Sequence, residues 1–278
     1  ILSDESNYPK DTVYELEYRL SVVHADGTQT HYSEGNLKNY FYNMDKDKGI
    51  VESKRFDLYF DNKDDATKYI EEFKASKVGE GDTAVESINF KLQPQISFTL
   101  MDQHTGEVKA IVGGRGEKTG NRTLNRATNT TRSPGSTFKI LSTFLPALDT
   151  AGMTLATVYD DAEYYYPNDP TRKVNNWSKD YKGFSTIRQA IKGSMNIVSV
   201  KTLADVTPQV GYDYLKNLGF TTLDPSDANN YSTALGGLTN GVTNLELTAG
   251  YAAIANGGYY NKPIFYTKIT DRNGNVIL

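Results

Sequence analysis

Ser136-Thr-Phe-Lys139 sets a hydroxyl and an amine three residues apart, directly after a Pro134-Gly135 break. The break starts a helix, and residues three apart on a helix share a face, so the Lys139 amine comes within reach of the Ser136 hydroxyl. A serine hydroxyl is a weak nucleophile alone. A neighbouring amine can take its proton, provided that burial or nearby cations keep the amine neutral at working pH. The unpaired amides and positive dipole end of a helix start also favour an oxyanion there. The chemistry these residues suit is nucleophilic attack by an activated serine hydroxyl. One Ser-x-x-Lys arises by chance about once in a chain of this length. This one is unique in the sequence and falls at a helix start.

A second serine and an amide follow in Ser194-Met-Asn196, within Ala190-Ile-Lys-Gly-Ser-Met-Asn-Ile-Val-Ser-Val-Lys201. Such a pair can complete a proton path and hold the amide of a peptide substrate. Ser87-Ile-Asn89 has the same form, but it is read as linker and precedes the nucleophile. The sequence has no cysteine and only three histidines, His24, His31 and His104. Disulfides, thiolate chemistry and cysteine-ligated metals are thereby excluded. No histidine pair has metal-ligand spacing, and none sits where a serine triad would need it, so the base is expected to be something other than histidine. The net charge of -4 gives no electrostatic pointer to nucleic acid.

The elements that must hold these residues divide into two blocks. Residues 1–94 are predicted to form a small α+β module. Its strands are Val13–Val23, residues 29–32 after an Ala25-Asp-Gly-Thr turn, and the alternating Phe56-Asp-Leu-Tyr-Phe run. A short helix follows Ser33 through Tyr42, and another over Ala66–Lys77 is capped by Asp64 or Asp65, with Tyr69, Ile70 and Phe73 on one side. Gly79–Thr83 reads as a linker. Residues 95–278 are predicted to open with a hairpin, Gln95–Met101 and Val108–Val112, closed by Gly113-Gly114. Helices follow from Ser136 to about Leu148, from Thr186 to Asp205, and from Asn244 to Asn256. Tyr164-Tyr-Tyr-Pro and Trp177 are expected to pack a loop against the core, with the lining of a substrate groove as the second reading. Asp160-Asp161 reads as a solvated acidic turn in preference to a cation site, and Gly236-Gly237 and Gly257-Gly258 as simple turns.

Asn125-Arg-Ala-Thr, Arg132-Ser-Pro-Gly-Ser-Thr-Phe-Lys139 and Arg188–Lys201 together resemble the first two motifs of class A penicillin-binding proteins. Ala234-Leu-Gly-Gly-Leu, the Gly241–Gly258 segment and the Asp102–Gly114 hairpin are similar to that family too. The resemblance covers about residues 95–278. It implies a mixed α/β penicillin-binding, serine β-lactamase-like fold, an antiparallel sheet with flanking helices, behind an α+β connecting module at 1–94. It further implies a D,D-transpeptidase that cross-links peptidoglycan stem peptides ending in D-Ala-D-Ala and is acylated by β-lactams, without metal or organic cofactor.

In that reading Ser136 is the nucleophile and Lys139 the base. Ser194 relays a proton, Asn196 holds the substrate amide, and the Ser136 backbone N–H donates to the oxyanion. The family's third motif is Lys-Thr-Gly on a strand late in the domain. Here Lys118-Thr-Gly120 precedes the nucleophile and reads as a chance match, so the third motif is expected beyond Leu278. Both ends of the chain read as cut from a longer protein. By resemblance its glycosyltransferase domain and membrane anchor lie outside this sequence, with the domain on the extracytoplasmic face of the bacterial plasma membrane and residues 1–94 available to cell-wall or division proteins. Two alternatives stay open. One is a D,D-carboxypeptidase or β-lactamase-like hydrolase, which would need a deacylating carboxylate near the serine. The other is a non-catalytic module on the same fold.

Overall fold

A computed structural model of the chain describes residues 4–47, 58–116, 118 and 120–278. They fall into two compact units, residues 1–96 with 115–122, and residues 97–114 with 123–278.

The first unit is a four-stranded antiparallel sheet with two helices. Strand β1 (Val13–Val23) is its spine: β2 (Gln29–Ser33) pairs with its second half and β3 (Tyr59–Phe60) with its start. The remaining edge is taken along its full length by β4 (Thr83–Gln93), from Val13 opposite Gln93 to Val23 opposite Thr83. Leu16, Tyr18, Leu20 and Val22 alternate along β1 and are all buried, as the two-residue period of a strand requires. They meet Leu37 and Phe41 of α1 (Glu34–Asp47) and Ala66, Ile70 and Phe73 of α2 (Lys63–Ala75). Phe73 anchors this core, with Tyr18, Tyr32 and Tyr40 packed edge-on around its ring. The cap of α2 is Asn62, whose side chain accepts from the Asp65 backbone N–H, and not Asp64 or Asp65 as expected. The stretch expected to be linker is also different. Only Gly79–Asp82 turns, and Ser87 to Asn89 lie on β4. The Phe56 and Asp57 portion of the predicted strand lies outside the described residues.

The second unit opens with the expected hairpin, β5 (Phe98–Met101) antiparallel to β6 (Val108–Val112). After α3 (Arg126–Asn129), a 3-10 turn at Gly135–Thr137 leads through a π-helical stretch, Ile140–Phe144, into α4 (Leu145–Thr150). Pro146 has no N–H to complete the regular ladder, which accounts for the widened turn just before it. Two small two-stranded antiparallel sheets follow: β7 (Val158–Asp161) pairs with β10 (Gly183–Thr186), and between them in the chain β8 (Tyr165–Tyr166) pairs with β9 (Asp169–Lys173).

The single helix expected over Thr186–Asp205 is two, α5 (Ile187–Gly193) and α6 (Asn196–Val206). Ser194, at φ 50 and ψ 45, is the left-handed residue that ends α5. Helix α6 buries residues on every side, including Ile197, Val198, Val200, Leu203 and Val206, so it runs through the centre of the unit. Helix α7 (Pro208–Asn217), which the sequence reading did not include, and α8 (Asn244–Ala255) complete the shell. The C-terminal turn at Asp271–Asn275 brings Thr270 opposite Val276 by a single antiparallel bridge rather than by two regular strands.

Candidate active site

The segment that presents Ser136 is strapped from outside. Arg132 and Val242 exchange backbone hydrogen bonds of 3.0 and 2.9 Å. The Ser133 hydroxyl donates to the Gly236 carbonyl at 2.5 Å. Gly236 has φ 78, and a Cβ on it would sit 2.3 Å from the Gly135 carbonyl oxygen, so only glycine allows the two backbones to approach. Gly236 is therefore more than the simple turn expected of it. From inside, Phe138 is fully buried and meets Phe220 edge-on at 5.3 Å. Tyr251 of α8 donates its hydroxyl to the Thr137 carbonyl at 2.5 Å. Ser136 is left exposed between these anchors, on the 3-10 turn.

Lys139 points the other way, into the unit, and is 2% exposed. Its ammonium donates to the Ser194 carbonyl at 2.6 Å, the Ser194 hydroxyl at 3.0 Å and Asn196 Oδ1 at 2.5 Å. Those three acceptors match its three N–H bonds. The short link expected between Lys139 and the Ser136 hydroxyl is not among these bonds; the lysine is instead tied to the junction of α5 and α6. Burial disfavours the charged amine and pushes Lys139 down from 10.5 to about 8.

The junction is itself held by a neighbouring loop. Asn196 Nδ2 donates to the Asn175 carbonyl at 2.7 Å, which leaves its Oδ1 for Lys139. The Asn196 backbone N–H donates to Asn176 Oδ1 at 2.8 Å and that of Ile197 does so at 3.3 Å. Met195, at the cap position, offers no side-chain acceptor, so Asn176 supplies the cap of α6 from a distance. Sequence reasoning missed Asn176 and took Gly236 only for a turn, because each acts on a residue far along the chain.

Beside Asn176 lies an open depression of about 560 Å³, lined by Lys173, Asn175, Trp177, Lys179 and Tyr181. Trp177 is 77% exposed there, held by a 3.2 Å bond from its indole N–H to the Gly193 carbonyl. Of the residues expected to pack, Tyr164 and Tyr166 do so, whereas Tyr165 and Trp177 are exposed. Asp161 is also not the solvated residue expected: it is fully buried. Lys118 and Gly120 are exposed, with Thr119 outside the described residues. Among the described residues, no group of three or more metal-ligating side chains converges, and no helix is long and apolar enough to cross a membrane.

Helices thus surround a buried lysine, fronted by an exposed serine on a tight turn. The chain belongs to the penicillin binding protein transpeptidase domain family, whose model matches residues 96–277. More particularly, its relatives are class A proteins of peptidoglycan synthesis. Penicillin-binding protein 1A of Clostridium tetani is 35% identical over 199 residues, covering 67% of this chain and 25% of that protein. Penicillin-binding protein 1A of Streptococcus pneumoniae is 28% identical over 282 residues, covering 99% of this chain and 39% of that protein. The crystal structure of penicillin-binding protein 1A from Haemophilus influenzae matches in fold, with a TM-score of 0.57 at 20% identity, over 93% of this chain and 34% of that one. The chain thus spans between a quarter and two-fifths of these relatives' lengths.

Proposed function

We propose that this chain catalyses the D,D-transpeptidation that cross-links peptidoglycan stem peptides, with Ser136 as nucleophile. The observation that carries this reading is Lys139. It is buried, lowered to about 8 and bonded to both Ser194 and Asn196, one helical turn behind the exposed Ser136. As an ammonium, Lys139 spends all three donors on the α5–α6 junction. As a neutral amine it has a lone pair free to accept a proton, which is the state that general-base catalysis needs.

Ser136 Oγ attacks the carbonyl of the penultimate D-alanine and its proton passes to Lys139. The tetrahedral oxyanion forms against the Ser136 backbone N–H, an interaction that contributes a few kcal/mol in such sites. Ser194 relays the proton to the departing D-alanine amine and the C–N bond breaks, leaving an ester on Ser136. Asn196 holds the substrate's amide. The amine of a neighbouring stem peptide then takes the acyl group and regenerates the hydroxyl. A β-lactam presents a strained amide to the same oxygen and acylates it.

In the whole protein this domain works on the extracytoplasmic face of the plasma membrane, joined to an anchor and a glycosyltransferase domain beyond these residues. Residues 1–94 form its connecting module and a surface for cell-wall or division proteins. The test is labelling with a fluorescent penicillin, read by intact mass and peptide mapping, on this chain and on one extended past Leu278. An adduct on Ser136 that disappears in Ser136→Ala is the expected result. No adduct in the folded, extended protein overturns the reading.

A further inference from the structure

Asp161 is a fully buried carboxylate to which the acyl-transfer reading assigns no task. Its two oxygens take the Asn176 side-chain N–H₂ at 2.9 and 3.0 Å, and one of them also takes the Lys182 backbone N–H at 2.8 Å. Asn176 is 7% exposed, and its Nδ2 also lies 3.2 Å from the Asp180 carbonyl. An amide side chain can sit either way round, and its neighbours decide which end is oxygen. On one side of Asn176 every neighbour accepts: the Asp161 carboxylate and the Asp180 carbonyl. On the other side both neighbours donate: the backbone N–H groups of Asn196 and Ile197.

We propose that Asp161 and Asn176 are positioning residues of the active site: the carboxylate fixes the direction of the amide, and the amide oxygen caps α6 so that Asn196 stands against Lys139. The inference rests on the reading of Asn196 and Lys139 as parts of the acyl-transfer site. The relay runs Asp161 to Asn176 to the Asn196 backbone, and from the Asn196 side chain to Lys139 Nζ. Each link is a hydrogen bond in or beside the buried interior, where leaving one partner unmet is costly. Asn175 reinforces the last link by taking Asn196 Nδ2, which turns Oδ1 toward the lysine.

The test is a charge-and-amide exchange. Asp161→Asn puts two amides face to face and removes the cue that orients Asn176. Asn176→Asp puts two buried carboxylates face to face. The double variant Asp161→Asn/Asn176→Asp again has a donor at 161 facing an acceptor at 176, with a carboxylate capping α6. Two quantities are read: hydrogen exchange at the Asn196 and Ile197 amides, and the rate of penicillin acylation, with the unfolding midpoint as a fold control.

In each single variant, exchange is expected to speed up and acylation to slow by about tenfold or more. The double variant is expected to recover part of both losses, since the carboxylate at 176 still faces the Asp180 carbonyl that Asn176 Nδ2 meets at 3.2 Å, and general loss of packing would produce no recovery. Exchange unchanged in Asp161→Asn overturns the proposal, as does a double variant no better than the worse single one. If the wild-type chain takes no penicillin while exchange follows the stated pattern, the positioning relay stands and the acyl-transfer reading alone fails.

Discussion

Lys139 Nζ and Asn196 Oδ1 lie 2.5 Å apart, and this contact joins the helical segment that carries Ser136 to the first residue of the central helix. The amine is therefore set by two elements far apart in sequence. Its charge state depends on how tightly their junction excludes water.

Acylation is expected to rise with pH through about 8 and then level off, because the neutral fraction of Lys139 grows over that range. Lys139→Arg, which stays protonated, should abolish the rise along with most of the activity. Penicillin acylation rates taken from pH 6 to 10 provide the check, and a flat profile in the wild-type protein would contradict the assignment.

The same lysine makes a prediction about stability. Its folded value, about 8, lies below the ordinary 10.5, so between these two pH values the unfolded chain binds more protons than the folded one. Stability from this group is least below pH 8 and increases as pH rises toward 10.5. Urea unfolding of the wild type and Lys139→Met across that window should show the upward trend only where the lysine is present.

Gly236→Ala is expected to harm both folding and acylation. The added Cβ meets the Gly135 carbonyl at 2.3 Å, and φ 78 is strained for any residue with a side chain. The backbone strain alone costs about 1–3 kcal/mol, and the clash pushes directly on the turn that presents Ser136. Denaturation and penicillin labelling of the same preparation would test this. A wild-type midpoint with wild-type labelling would show that the two backbones do not need this approach.

What the sequence made legible follows physical range. Strand β1 was readable because Leu16, Tyr18, Leu20 and Val22 alternate with more exposed residues along a single buried face. The hairpin of β5 and β6 was readable from its local pattern, whereas Ser194 and Asn196 entered the site through the family resemblance, and their bonds to Lys139 span 55 and 57 positions. Strand β4 was not, because most of it is exposed and it shows no alternation. The break between α5 and α6 was hidden because Ser194, not glycine, takes the left-handed conformation. Asp161 was misread because two adjacent acidic residues look solvated, whereas a strand sends neighbours to opposite faces. Asp160 is exposed and Asp161 buried, with a partner fifteen positions away in Asn176.

The pairing of Val13 with Gln93 has a mechanical consequence. The chain enters β1 and leaves β4 at the same end of one antiparallel pair. Tension transmitted through the module would load that pair at its open end, so its rungs would open in succession instead of resisting together in shear. Slack would be released from this module progressively, beginning at Val13 and Gln93, with the turn at Gly79–Asp82 the last region of the pair to feel the pull.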